Sequence, residues 1–309
     1  MARPLQTVLK RGLGILVAAL LGTAGAQAAD VVVGSKIDTE GGLLGNVIVQ
    51  VLEAHGLTVQ NRVGLGTTPI NRKALLAGEI DIYPEYTGNA AFFFNKADDS
   101  LWKDAAKGYV EAKKLDYDAN KIVWLDPAPA NNTWAIGLRS EVADANKLKS
   151  LSDFGKYVAG GGKVKLAGSA EFVNSAAALP AFQAAYGFKL SPEQLLILSG
   201  GDTSATIKAA AEQTDGVNTA MVYGTDGAIS AAGLVVLDDD KNVQPVYAPS
   251  PVIREVVLKA HPEIAEWLKP VFASFDLKTL QELNGRVQVN GEAAKDVAAS
   301  YLKDKGFVK

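Results

Sequence analysis

The sequence contains no cysteine and only two histidines among its 309 residues. Without cysteine there is no disulfide framework, no thiolate nucleophile or metal ligand, and no thiol to carry a lipid anchor. The two histidines, His55 and His261, stand apart: His55 is at a predicted helix end, where a partly cationic ring complements the dipole, and His261 precedes a helix-starting proline. We therefore expect no metal, no cofactor and no Ser/His or Cys/His catalytic machinery.

Basic clusters and nucleotide-binding loops are missing as well. The formal net charge is -3, and no run of Lys and Arg is present that could displace counterions from a phosphate backbone. The glycines at 64–66 lack the third glycine of a dinucleotide fingerprint, and the segment 200–204 has no lysine where a P-loop needs one. We expect no nucleic-acid partner.

Long apolar runs are confined to the first residues. A basic stretch containing Arg3 and Arg11 precedes the apolar segment 12–24, and Ala26-Gln27-Ala28 has the small-x-small pattern of a cleavage site. The apolar segment is shorter than the ~20 residues that span a bilayer. Residues 1–28 are therefore predicted to be a signal peptide, and the mature chain is expected in the periplasm.

Beyond residue 28, short apolar runs of strand character alternate with segments of helical period. Among these, we predict a helix at 42–55, a strand at 79–83, a turn shaped by Pro84 and Gly88, and a helix at 97–115. Such alternation is typical of an α/β fold, in which helices cover the faces of a sheet.

Two segments rich in turn formers, 126–132 and 245–251, interrupt this alternation. They indicate that the chain crosses into a second lobe and later returns. We predict two α/β lobes joined by two hinge crossings. Lobe 1 comprises 29–131 and 248–309, and lobe 2 comprises 132–247.

Aromatic residues stand at strand ends and at the crossings. They are Tyr83, Tyr86, Trp134, Tyr223 and Tyr247. Ligands of open α/β sheets bind beyond the carboxyl ends of strands, and the faces of aromatic rings attract weakly hydrated cations such as quaternary ammonium groups. Rings without a nucleophile favour a binding site over an active site. Tyr83 is expected to lie beneath the others.

Five segments carry a family resemblance: GSKIDTEGG (34–42), LGTTPINRKALLAGEIDIYPEYTG (65–88), SGGDTSATIKAAAEQ (199–213), VYGTDGAI (222–229) and PSPVIR (249–254). Together they resemble the periplasmic glycine betaine/choline-type binding proteins of ABC importers, and within them the OsmF (YehZ) branch. The resemblance implies a type II periplasmic-binding-protein fold whose two lobes close on an osmolyte and then dock on a membrane permease. We expect a monomer.

The resemblance also implies a set of binding residues. The rings around the quaternary ammonium would be Tyr86, Trp134, Tyr223 and Tyr247, and the polar positions would be Lys36, Asn89, Asn132 and Ser175. Relatives usually show Thr where Asn89 stands, Tyr where Trp134 stands, and Arg where Ser175 stands. A betaine carboxylate is best held by the two-pronged guanidinium of Arg. We therefore expect weak glycine betaine binding, or preference for a ligand without a carboxylate.

Two other classes of protein stay open at this point. A binding protein for a polyamine would direct carboxylates such as Asp81, Glu85 and Glu171 at its ligand, and an amino acid is a further candidate solute. An exported enzyme would need an acid/base pair, for which Asp81 and Glu85 are the candidates in the sequence. The sequence decides neither the substrate and its affinity, nor the permease served, nor the choice between osmoprotection and nutrient uptake.

Overall fold

The computed structural model describes Met1, residues 29–198 and residues 203–309. The rest of the predicted signal peptide and residues 199–202, part of the SGGDTSATIKAAAEQ segment, lie outside the described residues.

The first part of the chain alternates strands and helices. Its elements are β1 (Val31–Lys36), α1 (Thr39–Ala54), β2 (Val59–Gly66), α2 (Thr68–Ala77), β3 (Ile82–Tyr86), α3 (Asn89–Phe93), a 3-10 turn (Ser100–Lys103), α4 (Ala105–Asn120) and β4 (Ile122–Trp124).

The middle part repeats the alternation. It contains β5 (Trp134–Arg139), α5 (Ser140–Asn146), α6 (Leu151–Ala159), β6 (Leu166–Ser169), α7 (Ala170–Asn174), α8 (Leu179–Tyr186), β7 (Leu195–Leu198), α9 (Thr203–Ala211), β8 (Thr219–Tyr223), α10 (Ala228–Ala231) and β9 (Leu234–Val236), with short 3-10 turns at Pro192–Gln194 and Thr214–Gly216. The last part contains β10 (Pro249–Arg254), α11 (Glu255–Ala260), α12 (Glu263–Ala273), α13 (Leu277–Gln288) and α14 (Ala294–Asp304).

The strands form two sheets with the same arrangement. The first has the order β2-β1-β3-β10-β4 and the second β7-β6-β8-β5-β9. In the first, β2, β1 and β3 are parallel and β10 runs antiparallel to both of its neighbours; in the second, β5 takes the antiparallel position. The first sheet with its helices is lobe 1 and the second is lobe 2. The predicted α/β fold class is confirmed.

Each sheet is covered by apolar side chains on both faces. Because successive residues of a strand point to opposite faces, Ile82 and Ile253 pack under α1 and α12, whereas Tyr83 and Val252 pack under α2 and α4. Lobe 2 shows the same division. Tyr83 is fully buried, as expected.

The segments between the lobes lie side by side. One joins β4 to β5 and the other joins β9 to β10. The Asn132 N–H donates to the Tyr247 carbonyl at 2.9 Å, and the Ala128 N–H donates to the Pro249 carbonyl at 2.7 Å. The predicted lobe boundaries, 131/132 and 247/248, stay a prediction, and both fall between strands of different sheets.

The predicted strand at 79–83 and the predicted turn at Pro84–Gly88 are displaced: Ile82–Tyr86 forms strand β3, and the turn is confined to Thr87 and Gly88. Strand β10 pairs with β3 along the whole length of β3, from Ile82 opposite Ile253 to Tyr86 opposite Pro249. On its other side β3 pairs with β1 at Ile82 alone, so the missing N–H of Pro84 costs no ladder bond there. A partner more than 160 residues away in sequence therefore extends the strand.

The predicted helix at 97–115 was misplaced. Helix α4 begins at Ala105, because the Asp104 side chain caps it by accepting the Lys107 N–H at 3.0 Å, and it runs on to Asn120. A separate short helix, α3, follows β3 directly.

Candidate functional site

Lys36 and Glu85 form a buried ion pair at the carboxyl ends of β1 and β3. Their closest atoms, Lys36 Nζ and Glu85 Oε1, are 2.6 Å apart, and the Glu85 side chain is fully buried. The pair forms because β1 and β3 are parallel neighbours, so their last residues meet at one edge of the sheet.

Glu85 also organises the residues around it. It accepts hydrogen bonds from the Tyr83 hydroxyl at 2.7 Å, from the Tyr86 N–H at 2.8 Å and from Asn89 Nδ2 at 2.7 Å. Its oxygens are thus occupied by the chain itself. Glu85 is an internal anchor that holds Lys36, Tyr83 and Asn89 in fixed positions.

The Lys36 ammonium lies over the Tyr86 ring, 4.3 Å from its centroid. This is a cation–π contact within the chain. One face of Tyr86 therefore already holds a cation, and a ligand must use the remaining surface of the ring or displace the lysine.

The Tyr86 hydroxyl donates to Glu40 Oε1 at 2.8 Å. Glu40 lies in the first turn of α1 and is 4 % exposed. Asn132 Nδ2 donates to the same oxygen at 2.9 Å, Asn284 Nδ2 donates to the other oxygen at 2.7 Å, and the Thr225 side chain is a further partner. Burial raises the pKa of Glu40, and these hydrogen bonds, which favour the charged form, offset part of the rise.

Trp134 and Tyr223 are cross-strand neighbours in lobe 2, at the start of β5 and the end of β8. Trp134 packs edge-on against buried Phe172, with ring centroids 5.9 Å apart. Its buried indole nitrogen lies beside the Tyr223 side chain without forming a well-aligned hydrogen bond. Ser175, half-buried, ends helix α7 three residues after Phe172.

Tyr247 lies in the return crossing and contacts lobe 1. A Cβ atom at Gly88 would lie 2.9 Å from Tyr247 ring carbons, so the ring needs glycine at that position. Burial raises the pKa of Tyr247 to about 12, with smaller contributions from the Tyr223 phenol and the Glu85 carboxylate. Tyr247 is therefore a neighbour of both lobes.

The predicted site residues thus divide into three groups. Lys36 and Tyr86 belong to the lobe 1 network, and Asn132 joins it through Glu40. Trp134 and Tyr223 form a pair in lobe 2, with Ser175 on the neighbouring helix, and Tyr247 lies between the lobes.

Asn89 has a second environment. It supports Glu85 and also lines a groove of about 740 Å³ between α2 and α3, together with side chains such as Arg72 and Phe92. Its predicted contact with a ligand stays a prediction, as do those of the other site residues.

Two residues of this region were not predicted as part of it. Glu40 was present in the quoted segment GSKIDTEGG, yet an acid in a first helical turn is ordinarily explained by the helix dipole. Glu85 was considered as a ligand-facing or catalytic acid. Its position between two tyrosines at the end of an apolar run was the available signal of an internal role.

The acids considered for a polyamine site are engaged elsewhere or exposed. Asp81 pairs with Arg254 Nη1 at 2.9 Å and accepts the Val32 N–H at 2.9 Å. The oxygens of Glu85 already bind the chain's own side chains, as described above, and Glu171 is exposed. Asp81 and Glu85 are therefore not arranged to receive a polyamine or to act as an acid/base pair.

Comparison with known proteins decides the family. Residues 29–304 match the model for the substrate binding domain of ABC-type glycine betaine transport systems. The chain belongs to this family.

It is 61% identical to the glycine betaine-binding protein YehZ of Escherichia coli over 282 residues, covering 91% of this chain and 92% of that protein. A glycine-betaine-binding protein of Pseudomonas aeruginosa is 32% identical over 300 residues, covering 95% and 94%. The structure of apo YehZ from Escherichia coli matches with a TM-score of 0.84 over 91% of this chain and 100% of that one.

Family membership confirms the resemblance found in the sequence, including the YehZ branch, and makes the chain a substrate-binding protein of an ABC transport system, not an enzyme. Within residues 29–198 and 203–309, no helix is long and apolar enough to cross a membrane. The same residues contain no group of three or more acidic or histidine side chains suited to holding a metal ion.

Proposed function

We propose that the protein is the periplasmic binding component of an ABC importer for quaternary ammonium osmolytes of the glycine betaine/choline type. The ligand lies between the lobes, with its methylated cation against Tyr86, Trp134, Tyr223 and Tyr247. The observation that carries the proposal is the grouping of rings at the lobe junction: Tyr223 is the cross-strand neighbour of Trp134, its phenol acts electrostatically on Tyr247, and Tyr247 contacts Gly88, two residues after Tyr86.

The chemistry of the rings suits a soft cation. Each well-placed ring contributes roughly 0.5 to 2 kcal/mol to binding a quaternary ammonium group. Tyr86 already attracts the Lys36 ammonium at 4.3 Å, which supports its ability to bind a cation. The names of the relatives from E. coli and P. aeruginosa, both glycine betaine-binding, support the same class of ligand.

A carboxylate on the ligand is poorly matched by the residues around the rings. Ser175 offers a neutral hydrogen bond where the family resemblance implies an Arg, and the Lys36 ammonium is already paired with Glu85. Holding a carboxylate by Lys36 would require weakening that pair. We therefore propose weak binding of glycine betaine, or preference for a cation without a carboxylate, such as choline.

Transport follows from closure of the lobes about the two crossings. A ligand that contacts both lobes stabilises the closed form by its differential affinity for that form. The permease of the ABC importer then recognises the closed monomer. The crossings pair through backbone hydrogen bonds, which supports their acting together as one hinge.

Titration calorimetry of the chain from residue 29 onward, against glycine betaine, choline, carnitine and spermidine, tests the proposal. We expect binding of at least one quaternary ammonium compound and none of spermidine. Sub-micromolar glycine betaine affinity would contradict the carboxylate argument. Binding of spermidine alone, or of none of the four, would overturn the proposed function.

A further inference from the structure

Glu40 has partners in several segments of the chain. Its carboxylate contacts Tyr86 at the end of β3, Asn132 in the first crossing, Asn284 in α13 and Thr225 after β8. Tyr86 and α13 belong to lobe 1, Thr225 follows a lobe 2 strand, and Asn132 lies between the lobes. One side chain therefore joins a predicted wall of the pocket to both lobes and to a crossing.

All four partners of Glu40 can donate a hydrogen bond to its carboxylate. The Asn132 and Asn284 amide groups, the Tyr86 hydroxyl and the Thr225 hydroxyl all have a hydrogen to offer. Two carboxylate oxygens can accept all four. The partners are themselves buried or half-buried: Tyr86 is 6 % exposed, Thr225 1 % and Asn284 2 %. A donor that lost Glu40 would have little access to water in compensation.

The surroundings of Glu40 also fix the position of α13 against lobe 2. Asn284 Nδ2 donates to the Thr225 carbonyl at 2.9 Å as well as to Glu40. Gln281 donates to the Gly224 carbonyl at 2.7 Å, and Gln288 accepts the Gly227 N–H at 3.0 Å. Glu40 thus lies at one end of a continuous row of contacts between α13 and the segment 224–227.

We propose that Glu40 is a positioning residue, which fixes the Tyr86 ring relative to the lobe junction without contacting the ligand itself. This role rests on the proposed function, because it acts through Tyr86 as a wall of the binding site. Glu40 makes the placement of the ring depend on the arrangement of the lobes. Ligand binding at the ring and closure of the lobes are coupled through its carboxylate.

A double-mutant cycle tests this role. The four proteins are the wild type, Tyr86→Phe, Glu40→Gln and the double variant, and the readout is the Kd for glycine betaine or, if choline binds more tightly, choline. Tyr86→Phe keeps the ring and removes the bond to Glu40; Glu40→Gln keeps the shape and replaces an acceptor by a donor. We expect each single change to weaken binding about tenfold, and the double variant to be no weaker than the weaker-binding single variant.

Asp116→Asn is the matched control. Asp116 is another fully buried carboxylate of lobe 1, held by Arg72 and by Trp124 Nε1 at 2.9 Å, and none of its hydrogen bonds is with Tyr86, Trp134, Tyr223 or Tyr247. This variant should melt at a lower temperature with an unchanged Kd. A Glu40→Gln variant that likewise melts lower with an unchanged Kd would overturn the proposal, and so would a cycle in which the two single effects multiply.

Thr225→Val keeps the proposal testable if Glu40→Gln does not fold. Valine has nearly the shape of threonine and removes the Thr225 hydroxyl that stabilises the Glu40 carboxylate, so binding should weaken about threefold. Unchanged affinity in both Thr225→Val and Tyr86→Phe would contradict the role. Absence of binding by the wild type would overturn the proposed function and this role together, whereas normal wild-type binding with multiplying effects would overturn the role alone.

Discussion

The two halves of the proposed site differ in how completely their side chains are already satisfied. In lobe 1, Lys36, Glu85 and Tyr86 are buried and joined by short hydrogen bonds. In lobe 2, Trp134, Ser175 and Tyr223 are only partly buried, and the Trp134 indole nitrogen lacks a well-aligned acceptor. The lobe 1 half is therefore preorganised, whereas the lobe 2 half has surface left for a ligand to cover.

The two sheets share one strand arrangement, so this difference comes from the residues that stand at their strand ends. In lobe 1 two parallel neighbours, β1 and β3, end at the same edge beside the start of α1, so charged and polar residues from three segments meet there. In lobe 2 the corresponding rings come from antiparallel strands, one starting and one ending, which pair side by side. The lobe 1 strand ends thus carry charged and polar residues that pair with one another, whereas the lobe 2 strand ends carry two adjacent rings.

Replacing Lys36 by Met should have the largest effect, because it leaves the Glu85 charge buried without its cation. We expect a loss of about 3–5 kcal/mol in the free energy of unfolding, measured by urea denaturation. Lys96→Met is the control, since the Lys96–Glu111 pair of the same lobe is partly exposed and should cost at most about 1 kcal/mol. Similar losses in the two variants would contradict a preorganised lobe 1 half.

Replacing Ser175 by Arg should give the lobe 2 half a guanidinium that can bind the carboxylate of a ligand. A bidentate guanidinium contributes about 1.5–3 kcal/mol to such a contact, so glycine betaine should bind at least about tenfold more tightly while choline gains nothing. Ser175→Lys is the matched control, because it adds the same charge without the planar fork. Calorimetry showing equal gains for both ligands would indicate that position 175 does not face the carboxylate.

Replacing Tyr223 by Ala should have the smallest effect on the fold and a measurable one on binding. We expect the Kd to rise about 3- to 30-fold, the contribution of one ring to a quaternary ammonium contact, with a small change in melting temperature. Tyr86→Ala should lower both affinity and melting temperature, since that ring is buried among the lobe 1 contacts. A Tyr223→Ala variant that loses stability as much as Tyr86→Ala would remove the contrast between the halves.

The sequence predicted the lobes better than the contacts between them. The alternation of apolar runs and the two turn-rich segments depend on local pattern, and both led to the α/β fold with its crossings. The predicted strand ended at residue 83, before the true end of β3 at Tyr86, because its partner β10 lies far along the chain. The Glu40 contact with Asn284 spans 244 residues, and no local pattern records such a pairing.

The rings themselves could be selected from the sequence because they stand at predicted strand ends and crossings, where ligands of open α/β sheets bind. Their environment could not. That the Lys36 ammonium lies over Tyr86, and that Glu85 serves the chain's own side chains, follows from the meeting of β1 with β3. From the sequence alone, charged residues at such edges can be interpreted either as ligand contacts or as internal supports.

A crystal structure of the protein with its quaternary ammonium ligand tests the central claim most directly. The account predicts the cationic nitrogen within about 6 Å of ring centroids from both lobes, including Tyr86 and Tyr223. A ligand bound in the groove between α2 and α3, or held by carboxylates away from these rings, would contradict it.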